Sequence, residues 1–166
     1  MIGIAGVAAD SVTRHRELER LLDQVHDAQS AIAYSNNRVA ATVDYTLPLL
    51  FGASVPPRVR AGLQQLVEDS AAGQVADIAA QQRQAERVSV LPWHRSMQRA
   101  KDRLVAYLAG RVTYLQSVAA DQHVLYVEHP ELEQLLDEAR EAFEEAGGPA
   151  ERSRIEAAFA GGVHPA

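Results

Sequence analysis

Three stretches of this chain, residues 11–51, 57–88 and 92–122, repeat apolar side chains at the three- and four-residue spacing of a helix, and no segment alternates as a half-buried strand does. A chain patterned this way can cover its apolar stripes only by packing helix on helix. The fold class it predicts is therefore all-α: an antiparallel bundle of three long helices with a C-terminal helical hairpin. At 166 residues, 47% of them apolar, one core is the natural expectation. The chain divides into an apolar N-terminal segment (1–10), the three-helix bundle (11–122), and a connector with the hairpin (123–166).

At about 100° per residue, Leu18, Leu21, Leu22, Val25, Ala28, Ile32, Asn36, Val39, Ala40, Val43, Leu47 and Leu50 project onto one stripe, a face about 60 Å long. Asp10, Ser11 or Thr13 can cap its start, and Glu17 and Glu19 suit the positive end of the helix dipole. Pro48 is expected to kink or end this helix, with Gly52, Pro56 and Pro57 in the turn. In the second stretch the stripe shifts between Val67 and Val75, which points to a kink or break near Gly73. Residues 89–92 end it, and the third helix starts near Pro92 or Trp93. Residues 124–127 read as an extended connector. A fourth helix begins at Pro130 and stops at Gly147 and Gly148, and a fifth runs from Pro149 to Gly161.

The net charge of −6 argues against nucleic acid as a partner, since phosphate backbones reward a net basic surface. Without cysteine the chain has no disulfide, thiolate nucleophile or zinc thiolate site, and it holds no run of about 20 apolar residues that would span a bilayer. Residues 1–9 are uncharged and apolar. They read either as a tail docked on the bundle or as the end of a signal or anchor segment that begins upstream, with Val7 and Ala9 suited to cleavage.

Chemistry is sparse. His15 with Glu19 and His129 with Glu133 place a histidine one helical turn from a carboxylate, but a carboxylate-bridged metal bundle needs inward Glu on four helices and Glu-x-x-His pairs. The one acid followed by His at that spacing, Asp23 with His26, projects to water, so no metal or other cofactor is expected. No serine sits in a Gly-x-Ser-x-Gly turn. Asn36 falls on the centre of the first stripe, with Gln29 two turns earlier, and Arg111 holds the comparable place on the third helix. Two readings follow: a polar layer that fixes helix register, or a ligand site in which Arg111 holds an anion and Asn36, Tyr34 and Tyr107 supply hydrogen bonds.

Charge is laid out in blocks. Seven cations, Arg83 to Arg111, share 29 residues with two acids, whereas residues 121–156 hold eleven acids and three arginines. In an up-down-up bundle the basic turn returns to the end where the first helix begins. Trp93, Arg87, Arg95 and Arg99 there would suit an anionic membrane or partner surface. The plainer alternative pairs this basic face with the protein's own acidic hairpin.

The function expected from these residues is a non-enzymatic binding or sensor module, extracytoplasmic and membrane-associated through its N-terminus, taking a small ligand or a protein partner. The alternatives are a cytosolic interaction bundle that forms a homodimer through its long first helix and, third, a small-molecule or metal-dependent helical enzyme.

Overall fold

The computed structural model describes residues 4–50 and 55–160, which form five α-helices and two short 3₁₀ turns, with no strand among them. The helices are α1 (Ile4–Leu50), α2 (Pro57–Arg87), α3 (Arg95–Ala120), α4 (Pro130–Gly147) and α5 (Arg152–Ala160). The protein is an all-α bundle: α2 packs on α1 and α3, α4 lies along α3, and α5 bridges α1 and α4.

The burial pattern on α1 repeats every seven residues. Leu18, Val25, Ile32, Val39 and Thr46 are buried, and so are Leu21, Ala28 and Ser35. On α2 the same spacing buries Val67 with Gln74 and Ala71 with Ile78 and Ala85. On α3 it buries Met97, Leu104 and Val118, with Arg111 half-buried at the intervening place. Seven residues fall about 20° short of two full turns of an ideal helix, so a seam that keeps this repeat drifts away from a straight projection. By Asn36 the drift from Leu18 amounts to about 50°. Asn36 is consequently exposed, and Ser35 takes the buried place that the straight projection assigns to Asn36.

The same drift accounts for the stripe on α2. That helix continues unbroken through Gly73, so the shift expected to mark a kink or break is the seven-residue seam, with Val59 and Leu66 left exposed. Pro48 lies inside α1, two residues before its described end, where the loss of one backbone hydrogen bond does not stop the helix. Helix α1 also begins earlier than its polar start signals indicate. Asp10, Ser11 and Thr13 are inside it, so Asp10 is not a cap. Residues 122–126 form a 3₁₀ turn where an extended connector is expected; the Asp121 side chain accepts from the His123 N–H at 2.9 Å and starts it. The hairpin is present as α4 and α5, joined by a 3₁₀ turn at Pro149–Glu151. Gly148 permits the reversal with φ at 71°, a conformation costly for any residue with a Cβ. Gly161 lies outside the described residues.

The core is divided. The larger cluster runs from Leu18 to Ile32 on α1, takes in Ile78 on α2 and Leu108 on α3, and reaches Phe143 on α4 and Phe159 on α5, whose rings meet edge to face at 5.4 Å. The smaller contains Val39, Ala71 and Val118. Between them stand Ser35 on α1 and Gln74 on α2, both buried, with Ser35 Oγ and Gln74 Oε1 finding no hydrogen-bond partner among the described residues.

Candidate functional site

The nine residues of α5 pack against α1 and α4. Beside Phe159 and Ala160 of that helix lies a cleft of about 600 Å³, lined among the described residues by α1, α3, α4 and α5. Asn36, Tyr107 and Arg111, from three of the four positions read as ligand-binding in the sequence, meet on its wall, together with Gln29. Arg111 donates from Nη2 to Asn36 Oδ1 at 2.5 Å, and its guanidinium lies 5.3 Å from the Tyr114 ring centre. Its Nε is shielded from solvent and has no acceptor, and no carboxylate lies within ion-pair distance of it among the described residues. A half-buried cation answered only by a neutral amide and a ring face is short of counter-charge. Tyr107 is buried, and that burial raises its hydroxyl pKa above the ordinary tyrosine value, so it stays a neutral donor. Arg140 sits over the Phe159 ring at 5.9 Å, and Glu144 and Glu156 complete the polar lining.

Tyr34 is not part of this cleft. Two residues from Asn36 on a helix means about 200° around the axis, and Tyr34 is exposed on the other side of α1, where Arg38 donates to its hydroxyl at 3.2 Å. There it lines a shallow groove with Tyr45 and Leu66.

The residues read as an anionic-surface interface are distributed unequally. Trp93 is 65% exposed, and Arg87 and Arg95 are exposed without an ion pair among the described residues. Arg99 pairs with Glu145 at 2.5 Å, and Arg103 with Glu138 at 2.6 Å, so this part of the basic face is neutralised by α4. The turn that carries Trp93 rests on the first turns of α1, where the indole Nε1 donates to Asp10 Oδ1 at 3.2 Å; Arg14, one turn further on, ties α1 to α4 by donating to the Ala146 carbonyl at 3.0 Å.

At that junction lies a cluster the sequence pattern did not disclose. His94 is buried and points one ring nitrogen at each of two carboxylates. Its Nδ1 donates to Glu17 Oε2, and its Nε2 to Asp10 Oδ1 at 3.0 Å. The other Glu17 oxygen accepts the Leu91 N–H at 2.7 Å. The hydrogen bond to Glu17 and, after it, the one to Asp10 raise the His94 pKa against the opposing effect of burial. Asp10 is held below its usual value, first by His94 and then by Trp93. One signal was available: Asp10 and Glu17 are seven residues apart, on the side of α1 that carries Leu18, and an acid bordering a buried stripe asks for a partner.

The histidine pairs considered for metal go elsewhere. His15 stands 3.4 Å from Glu19 and 3.5 Å from Glu151. His129 donates to Glu131 at 2.9 Å and to the Val124 carbonyl at 3.0 Å instead of meeting Glu133, and Asp23 and His26 are exposed. Among the described residues no group of three or more potential ligands could hold a metal ion, and no helix is long and apolar enough to cross a membrane. Comparison with protein-family models, with curated proteins and with solved structures gives no match for this chain.

Proposed function

We propose that this protein is a non-enzymatic binding module whose seat is the cleft bordered by α5 and Arg111, and that its ligand is a small molecule carrying a carboxylate or phosphate held by Arg111. One observation carries the reading: a half-buried guanidinium whose partners in the fold are a neutral amide and an aromatic face, set in a cleft of about 600 Å³. Burying a cation without a counter-charge costs stability, and an incoming anion would recover it. Tyr107 and Gln29 would orient the rest of the ligand against Ile32, Leu136 and Phe159. The module would work at an anionic membrane surface outside the cytoplasm, with α1 leading to that surface beside Trp93, Arg87 and Arg95.

The test is thermal unfolding against a panel of small carboxylates and phosphate monoesters at physiological ionic strength. At least one compound should raise the melting temperature of the wild-type protein. Arg111→Met should fold, melt at or above the wild-type temperature without ligand, and lose the ligand-dependent rise. A panel without effect on the wild type, or an equal rise in Arg111→Met, overturns the reading. So does a marked loss of stability in Arg111→Met without any ligand effect, since the guanidinium would then be satisfied by its contacts within the fold.

A second reading has its own support. Tyr34, Tyr45, Leu49 and Leu66 are exposed apolar side chains along α1 and α2, a face on which a second copy of the chain would pack. Sedimentation across a hundredfold concentration range separates the two: a monomer throughout removes the dimer reading.

A further inference from the structure

The protons on His94 do not balance unless its ring is charged. A carboxylate only accepts hydrogen bonds, and a neutral imidazole carries a single N–H. His94 nevertheless directs Nδ1 to Glu17 and Nε2 to Asp10, so with both carboxyl groups ionised the two bonds exist together only in the imidazolium form. The two carboxylates differ in kind. Glu17 and His94 each leave only 5% of the side chain exposed, whereas Asp10 is 52% exposed. Glu17 is further tied to the Leu91 N–H, while Asp10 also accepts from the Trp93 indole.

We infer that Asp10, His94 and Glu17 form a protonation-gated clamp that fixes the 88–94 turn, and with it the exposed face of Trp93, onto the start of α1. Loss of one proton from His94 takes it from Nε2, because the buried bond from Nδ1 to Glu17 has no competing water. The bare Nε2 lone pair then faces the Asp10 carboxylate, acceptor against acceptor. Asp10, half in solvent, turns outward, and the Trp93 indole loses its acceptor in the same event. Glu17, Leu91 and His94 Nδ1 stay joined, so the turn remains threaded on the bundle while its outer edge comes free.

The other charges around the ring do not compensate. On α1, Arg14 is committed to the Ala146 carbonyl and Ser96, and acts on Asp10 by lowering its pKa. On α3, Lys101 donates to the Val88 carbonyl and Arg99 pairs with Glu145 of α4. His15 is turned to Glu19 and Glu151. The clamp is therefore closed at pH values between the lowered pKa of Asp10 and the raised pKa of His94, and it opens as pH rises through the latter. It concerns the Trp93 end of the molecule and stands whether or not the cleft takes a ligand.

Trp93 is the one tryptophan of the chain, which makes the test direct. Its fluorescence anisotropy, followed from pH 5 to pH 10 beside far-UV circular dichroism, should fall in a single one-proton step whose midpoint lies above the ordinary histidine value, with helicity retained. Asp10→Ala should show the low anisotropy at every pH. His94→Gln should show no step. In the ¹⁵N spectrum of the wild-type protein at pH 6.5, both ring nitrogens of His94 should be protonated. A step that persists in His94→Gln, a flat wild-type profile, or a neutral His94 ring at pH 6.5 overturns the clamp. The ring spectrum decides even if a variant does not fold.

Discussion

The half of the bundle near the α2–α3 turn and the half near the α1–α2 turn share the same long helices and the same seven-residue seam, yet they hold together differently. In the first, α4 and α5 add a second layer, and the core includes Phe143, Phe159, Leu21, Leu104 and Ile155. In the second, α1, α2 and α3 stand without α5, the core among the described residues is Val39, Ala71 and Val118, and the 3₁₀ turn covers it with Val124 and Leu125. Of the nine large apolar side chains exposed among the described residues, seven, Tyr34, Tyr45, Leu49, Val59, Leu66, Tyr126 and Val127, flank this second half. A repeat alone does not secure a helix bundle; the number of layers that close over it determines how large its buried residues can be.

This contrast can be broken or sharpened by measurement. Phe143→Ala should cost about 3–5 kcal/mol in a urea or thermal melt and weaken the whole molecule, because it empties the core that both layers share. Val39→Ala should cost about 2 kcal/mol, and its effect should concentrate in the hydrogen exchange of α1 and α2 beyond Ser35. Equal loss of protection in both halves would show that they unfold as one unit. Gln74→Leu removes a buried oxygen without a partner and should stabilise by about 1 kcal/mol, while bringing the exchange rates of the two halves together. If it destabilises instead, Gln74 holds a bond that the described side chains do not supply.

The smallest effect is that of pH, and its sign follows from the two shifts at the clamp. The contribution of His94 is complete below the ordinary histidine value and disappears as pH rises through its raised pKa. The contribution of Asp10 is complete above the ordinary aspartate value and disappears as pH falls through its lowered pKa. Melting temperature should thus form a plateau between these limits, and Asp10→Asn should flatten its edges. An unchanged alkaline edge in Asp10→Asn would remove Asp10 from the linkage.

The five helices were legible because their signals are local: apolar spacing, Pro57 and Pro130 at helix starts, and Gly147 with Gly148 at a stop. Errors arose where a small angular step accumulates. Asn36 and Ser35 exchanged roles because 100° per residue and a seven-residue seam diverge over five turns, and the same drift suggested a break at Gly73. The 3₁₀ turn at 122–126 depends on one Asp121 side chain that no apolar pattern reports. At the cleft, Asn36 and Arg111 were legible as facing polar residues on two helices, while Tyr34 belongs to the opposite side of α1. The pairing of Glu17 with His94 spans 77 residues and two helices. Distance of that kind enters only with the packing, so the clamp could not be read from spacing.

Most packing in this molecule joins helices that follow one another in the chain, α1 with α2, α2 with α3 and α3 with α4, a topology that favours rapid folding. Helix α5 is the largest exception. It returns to α1, and its contact from Arg154 to Glu19 closes a loop of 135 residues. The entropy of that closure has to be met by nine residues led by Ile155 and Phe159. Docking of α5 thus ties the last described helix to the first, and the wall of the cleft is completed only when α5 has met α1.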